Sequence, residues 1–77
     1  MRDTEALRYI ADGYGMTLRE LSRRAGMADE DAVSKHLKQT ERRNGSLTSE
    51  ALSKYARAMD WKLCLCKGRE KIELDFD

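Results

Sequence analysis

The chain has 77 residues, of which 38% are charged and 40% apolar, and a formal net charge of +1. That length holds one domain, and a domain this small buries only about 60% of its unfolded surface, so the monomer is expected to be modestly stable and a dimer would help it. The chain has no proline, no repeat, no apolar run near the ~20 residues of a membrane span and no apolar core behind its Met-Arg-Asp-Thr-Glu start, so neither a membrane protein nor a signal peptide is expected.

Residues 3–13 predict a first helix. Leu7, Ile10 and Tyr14 share one face, while Arg2, Asp3, Glu5, Arg8 and Asp12 are polar. Asp3 or Thr4 is placed to cap it, and Gly13 and Gly15 to end it. Its expected work is to cover the core of the helices that follow.

A second helix is expected over 18–25. Thr17 is placed to accept from the Glu20 amide and Glu20 to reach back to the Thr17 amide, a capping box, with Met16 and Leu21 spaced as a hydrophobic staple. Leu18, Leu21 and Ala25 share a face, and Gly26 can take the left-handed conformation that closes a helix. Arg19, Arg23 and Arg24 point outward. Solvated surface is the ordinary fate of such residues and the expected one for Arg23. Arg19 is better placed for a phosphate, in a first turn whose free amides favour an anion.

A third helix is expected over 30–40, capped at Asp29, with Glu30 and Asp31 in its positive first turn. Val33 and Leu37 turn inward and His36 sits at the edge of the core. Asp31, Ser34, Lys35, Lys38 and Gln39 lie on the other side. Lys35 can donate to guanine O6 and N7, Gln39 can pair with adenine, and Asp31 or Glu30 can accept from cytosine N4. The alternative is a plain polar face, with the two acids serving only the helix dipole.

Residues 41–46 read as a loop, because Asn44-Gly45 favours positive φ; Arg42 and Arg43 fall at its start. A fourth helix is expected over 49–59, opened by Thr48 and stapled by Leu47 and Leu52. Leu52, Tyr55, Ala56 and Met59 form its core stripe.

The period then changes. Trp61, Leu63 and Leu65 alternate with Lys62, Cys64 and Cys66; Ile72, Leu74 and Phe76 alternate with Lys71, Glu73 and Asp75. Two period-2 runs across the turn Lys67-Gly68-Arg69-Glu70 predict a β-hairpin over 61–66 and 71–76. An isolated hairpin is marginal in water. Its apolar side chains Leu63, Leu65, Ile72, Leu74 and Phe76 therefore either join two subunits or close the core of the monomer.

Cys64 and Cys66 are too close in sequence for an easy disulfide, which fits a reducing cytosol. With the single His36 they supply at most three zinc ligands, and Cys-x-Cys is not the spacing of a structural zinc site. No glycine-rich phosphate loop follows a strand, and no Ser-His-acid set is available beyond that histidine. Neither a metal, a cofactor nor an enzyme is expected. The charge is uneven: 34–45 carries a balance of +3 and the last eight residues −3. A basic stripe beside two short helices points to nucleic acid where the net charge does not.

Thr17-Leu18-x-Glu20-Leu21-x-x-x-Ala25-Gly26-Met27, then Ala32-Val33-Ser34-Lys35, then Leu47-Thr48-x-x-Ala51-Leu52-x-x-Tyr55-Ala56-x-Ala58-Met59, resembles the Cro and phage-repressor type of helix-turn-helix, the XRE family, over roughly residues 6–63. The turn 27–31 is about one residue longer than that pattern and acidic. The resemblance implies a mainly α, four-helix lambda-repressor-like domain with a C-terminal β-hairpin, occupying 1–77. It implies a cytoplasmic, sequence-specific transcriptional regulator, most often a repressor, that binds double-stranded DNA as a homodimer joined through the hairpin. Ser34, Lys35, Lys38 and Gln39 would read bases, and Thr17, Arg19, Arg42, Arg43 and Asn44 would hold phosphates. Many domains that look like this one are antitoxins, so a toxin or other protein as the main partner is the alternative.

Overall fold

Four helices, α1 (Asp3–Gly13), α2 (Leu18–Arg24), α3 (Ala32–Arg42) and α4 (Ser49–Arg57), precede an antiparallel hairpin of β1 (Cys64–Lys67) and β2 (Glu70–Glu73). This is a computed structural model, and it describes residues 1–76; Asp77, counted above in the acidic tail, lies outside them. Among the described residues no helix is long and apolar enough to cross a membrane.

Every helix closes the same way, on a residue with positive φ: Gly15 (66°), Gly26 (74°), Asn44 (56°) and Asp60 (64°). The amide after each donates back across the last turn, Met16 to Ala11 O (2.8 Å), Met27 to Ser22 O (3.0 Å), Gly45 to Thr40 O (3.1 Å) and Trp61 to Ala56 O (2.9 Å). This six-to-one bond satisfies carbonyls that a helix end would otherwise leave open. It also carries α4 one turn beyond Arg57 before Asp60 turns the chain out. The expected end at 59 therefore marks the closing turn rather than the last regular residue.

The core gathers Leu7 and Ala11 from α1, Leu21 from α2, Val33 and Leu37 from α3, Leu47, and Tyr55, Ala56 and Met59 from α4 and its last turn. Ile10, Met16, Leu18, Ala25 and Leu52 pack at its edge, as their spacing predicts. Tyr14 does not join them. It follows the end of α1, where the left-handed Gly15 turns the chain, and its ring is exposed; Thr4 takes the buried place on that face.

The caps differ in detail. Arg2, not Asp3 or Thr4, is the N-cap of α1. Asp3 sits one residue inside, where one carboxylate oxygen accepts from the Thr4 amide (2.8 Å) and the other from the Leu47 amide (2.7 Å). Its carboxylate thus ties the chain start to the loop before α4. Thr17 accepts from the Glu20 amide (3.1 Å) and Thr48 from the Ala51 amide (3.1 Å). The return half of the Thr17 box is missing, because the Glu20 carboxylate turns to Arg23 and Arg24 instead. Asp29 does not cap α3. Its side chain accepts from the Asp31 amide (2.9 Å) and its carbonyl from the Ala32 amide (3.1 Å), a turn that delays the helix to Ala32 and makes Asp31 the N-cap.

Two side chains hold α3 in place, and neither was evident in the sequence. Ser22, fully buried in α2, donates to Leu18 O (2.9 Å) and accepts from the Val33 amide (3.1 Å), which lies in the first turn of α3 and has no partner within its own helix. Ser22→Ala should destabilise the domain by about 1–3 kcal/mol, because it strands a buried donor; chemical denaturation of the variant measures this. At the other end of α3 the Arg8 guanidinium of α1 grips Glu41 with two bonds of 3.0 and 2.8 Å.

The hairpin turns on Gly68 and Arg69, with Gly68 at φ +59° and Lys67 paired to Glu70. Positive φ at the first central residue alone is the pattern of a type II′ turn, which suits strand twist. The ladder therefore starts tighter than 61–66 and 71–76 imply and reaches Lys67 and Glu70. A bond from the Leu74 amide to Leu63 O (2.8 Å) extends it at the open end. Leu65 lies opposite Ile72, and Leu63 and Leu74 follow on the same side. Leu65 and Ile72 are 60% and 63% exposed, so the turn end of this side does not close the core of the monomer, while Leu63 and Leu74 at the open end are half-buried. Phe76 departs from that set: it lines one wall of a groove whose other walls include Arg24, Ala25, Ser53 and Arg57 of its own chain.

Candidate nucleic-acid interface

Burial of Val33, Leu37 and Thr40 fixes which side of α3 faces out. Lys35, Lys38, Gln39 and Arg42 follow one another at i, i+3, i+4 and i+7, a single stripe opposite the core, and all four are exposed. Ser34 lies beside this stripe, half-buried. Arg43 and Asn44 continue past the helix end, both exposed, with Asn44 held at φ 56°. The asparagine predicted to favour positive φ does so; Gly45 after it does not.

His36 stands at the rim of the core as expected. Its Nδ1 is hydrogen-bonded to the Tyr55 hydroxyl at 2.7 Å, with the rings edge to face. Burial raises the Tyr55 pKa above its ordinary value.

The cations divide into two groups. Lys35 Nζ lies 2.8 Å from Asp29 Oδ2. Asp29 has its pKa lowered by that bond first and by the Asp31 amide second, and the same bond raises Lys35. Arg19 reaches Glu30 at 3.4 Å and Asp31 at 3.3 Å, and Arg23 lies 3.9 Å from Glu30. Lys38, Arg42 and Arg43 form no ion pair among the described residues. Of the predicted phosphate contacts, then, Arg42, Arg43 and Asn44 stand together and free. Arg19 is paired, and the Thr17 hydroxyl accepts from its own helix. Of the predicted base contacts, Lys38 and Gln39 are free, Lys35 is paired, and Ser34 is set aside by half-burial.

The Arg8–Glu41 clamp fixes the far end of this stripe. The bond to Arg8 is the largest cause holding the Glu41 carboxyl below its ordinary pKa; desolvation, the next largest, opposes it, and the Arg8 charge, the Thr4 hydroxyl and Arg2 add smaller lowering effects. A carboxyl lowered on folding adds stability above its unfolded pKa and loses it as pH falls through the folded one. The two side chains are about a third exposed, so water screens the pair and Glu41→Gln should cost only about 1 kcal/mol near neutrality. The difference from the parent should shrink as denaturation curves are taken into the acid range, where the parent carboxyl protonates. Arg8, whose pKa is raised by the same bond, stays charged throughout.

Among the described residues no group of three or more His, Cys, Asp or Glu is placed to hold a metal ion. Cys64 and Cys66 are free and exposed. Comparison with protein-family models, curated proteins and solved structures finds no match.

Proposed function

We propose that the chain is a sequence-specific DNA-binding regulator of the Cro and phage-repressor helix-turn-helix type, acting in the cytoplasm as a homodimer on a palindromic operator, with repression by occupancy. The observation that carries this reading is the exposed stripe of α3, with Lys38, Gln39 and Arg42 on the helix and Arg43 and Asn44 past its end, whose cations have no ion-pair partner among the described residues. α2 and α3, locked by Ser22, supply the helix pair, and the second helix of such a pair enters the major groove. Arg42 and Arg43 bind phosphate; Lys38 and Gln39 meet base edges. The apolar face of Leu63, Leu65, Ile72 and Leu74, exposed at Leu65 and Ile72 and half-buried at Leu63 and Leu74, joins two copies about its two-fold axis and sets two α3 helices about 34 Å apart. The same apolar face favours one other reading, a module of this fold whose main partner is a protein, such as the toxin of an antitoxin pair.

Sedimentation of the pure protein with and without random-sequence duplex DNA, at low and moderate salt, tests the proposal. A dimer that binds DNA and lets go as salt rises is the expected result, because each neutralised phosphate releases counterions. A protein that ignores DNA at low salt overturns it and directs attention to a protein partner at the hairpin.

A further inference from the structure

The paired cations share a common origin for their partners. Asp29, Glu30 and Asp31 stand in sequence in the turn before α3, and between them they engage Lys35, Arg19 and Arg23. The turn is anchored: one Asp29 oxygen holds the Asp31 amide while the other faces Lys35. All these side chains are more than half exposed, so the pairs are loose and exchange readily with a competing ion. Among the described residues Lys38, Arg42 and Arg43 have no such partner to exchange.

A phosphate that approaches Arg19 or Lys35 must displace a carboxylate. The displaced group stays on the turn, beside the phosphate, and like charges repel. No such cost arises at Lys38, Arg42 or Arg43. Base edges differ from phosphates in this respect. The major groove offers amino groups, cytosine N4 and adenine N6, from which a carboxylate can accept. A displaced carboxylate therefore finds a partner at a suitable base pair and none along the backbone, which is discrimination by penalising the wrong site.

We propose that the Asp29–Asp31 turn, through its ion pairs with Arg19 and Lys35, is a specificity filter: it withholds both cations from DNA phosphate and releases them where a site offers amino groups to the acids. The inference rests on the DNA-binding reading and adds what limits binding to the wrong sequence.

The test compares the parent with Asp29→Asn/Glu30→Gln/Asp31→Asn on random-sequence duplex and on a duplex selected from a random pool by the parent. Asparagine at 29 still accepts from the Asp31 amide, and circular dichroism checks that the fold is kept. Affinity for random duplex should rise at least about tenfold at low salt, and the log–log salt slope should steepen by about 2, from two further phosphate contacts at about 0.9 each. Preference for the selected duplex should fall correspondingly. Adding Arg19→Gln and Lys35→Gln to the triple variant should restore the parental slope. An unchanged slope, or a gain that survives those two substitutions and so reflects only three fewer negative charges, overturns the filter and leaves the DNA-binding reading standing. Failure of both parent and triple variant to bind at low salt overturns the two together. Binding by the triple variant alone likewise overturns both, because the parent then ignores DNA.

Discussion

Leu37→Ala is expected to lower the melting midpoint by roughly 15–30 °C, the loss of about 3–5 kcal/mol from a domain of this size. Leu37 is fully buried, on the inner side of α3 with Val33, among Leu7, Leu21 and Met59. Little else compensates. A small domain has only about 5 kcal/mol or somewhat more to lose, so the variant should be partly unfolded at 37 °C and lose the α3 surface with it. Thermal circular dichroism measures the shift. Leu65→Ala, measured in protein dilute enough to be monomeric, is the control, since its side chain is 60% exposed and surface changes ordinarily stay within about 0.5 kcal/mol. A comparable loss from Leu65→Ala would mean that the hairpin supports the monomer after all.

Arg42→Ala/Arg43→Ala should have the largest effect on binding. Each arginine is worth a charge-assisted bond, so the pair should cost about 3 kcal/mol, a hundredfold, at low salt. The loss should be nearly equal on all sequences, and the salt slope should fall by about 1.8, because phosphate contacts position the protein without reading bases. Both arginines lie outside the core, so the melting midpoint should hold. Titration of labelled duplex at several salt concentrations gives affinity and slope together. Lys38→Ala should behave differently, relaxing preference at one base position at a cost of about 1–3 kcal/mol.

What could be read from the sequence was local. The Thr17 and Thr48 caps, the glycine that closes α2, the inward pair Val33 and Leu37 and the Lys67–Glu70 turn each depend on residues within four places of one another. Misplacements came where one side chain had two possible partners. Asp29 looks like a cap, but its carboxylate holds the next turn and Lys35. Tyr14 continues the apolar spacing of α1 until Gly15 turns the chain. What joins distant segments was not legible: Arg8 meets Glu41 thirty-three places on, Asp3 meets the Leu47 amide forty-four places on, and Ser22 serves a helix that starts ten residues later. The candidate interface divides likewise. Periodicity named the stripe on α3, but only the folded turn reveals that Lys35 and Arg19 are engaged while Lys38, Arg42 and Arg43 are not, among the described residues.

The hairpin is tethered to the helices by few groups, among them the Arg57 guanidinium on Leu74 O (3.1 Å) and the Trp61 indole on the Tyr14 hydroxyl (3.1 Å). Its strands carry no buried residue. The chain should therefore open in two tiers. Amide protons of the ladder should exchange with deuterium well before those of α3, whose release requires the whole core to come apart. A second copy seated on Leu65 and Ile72 would close that gap, so the exchange rate of the Ile72 amide as a function of protein concentration reports assembly one residue at a time.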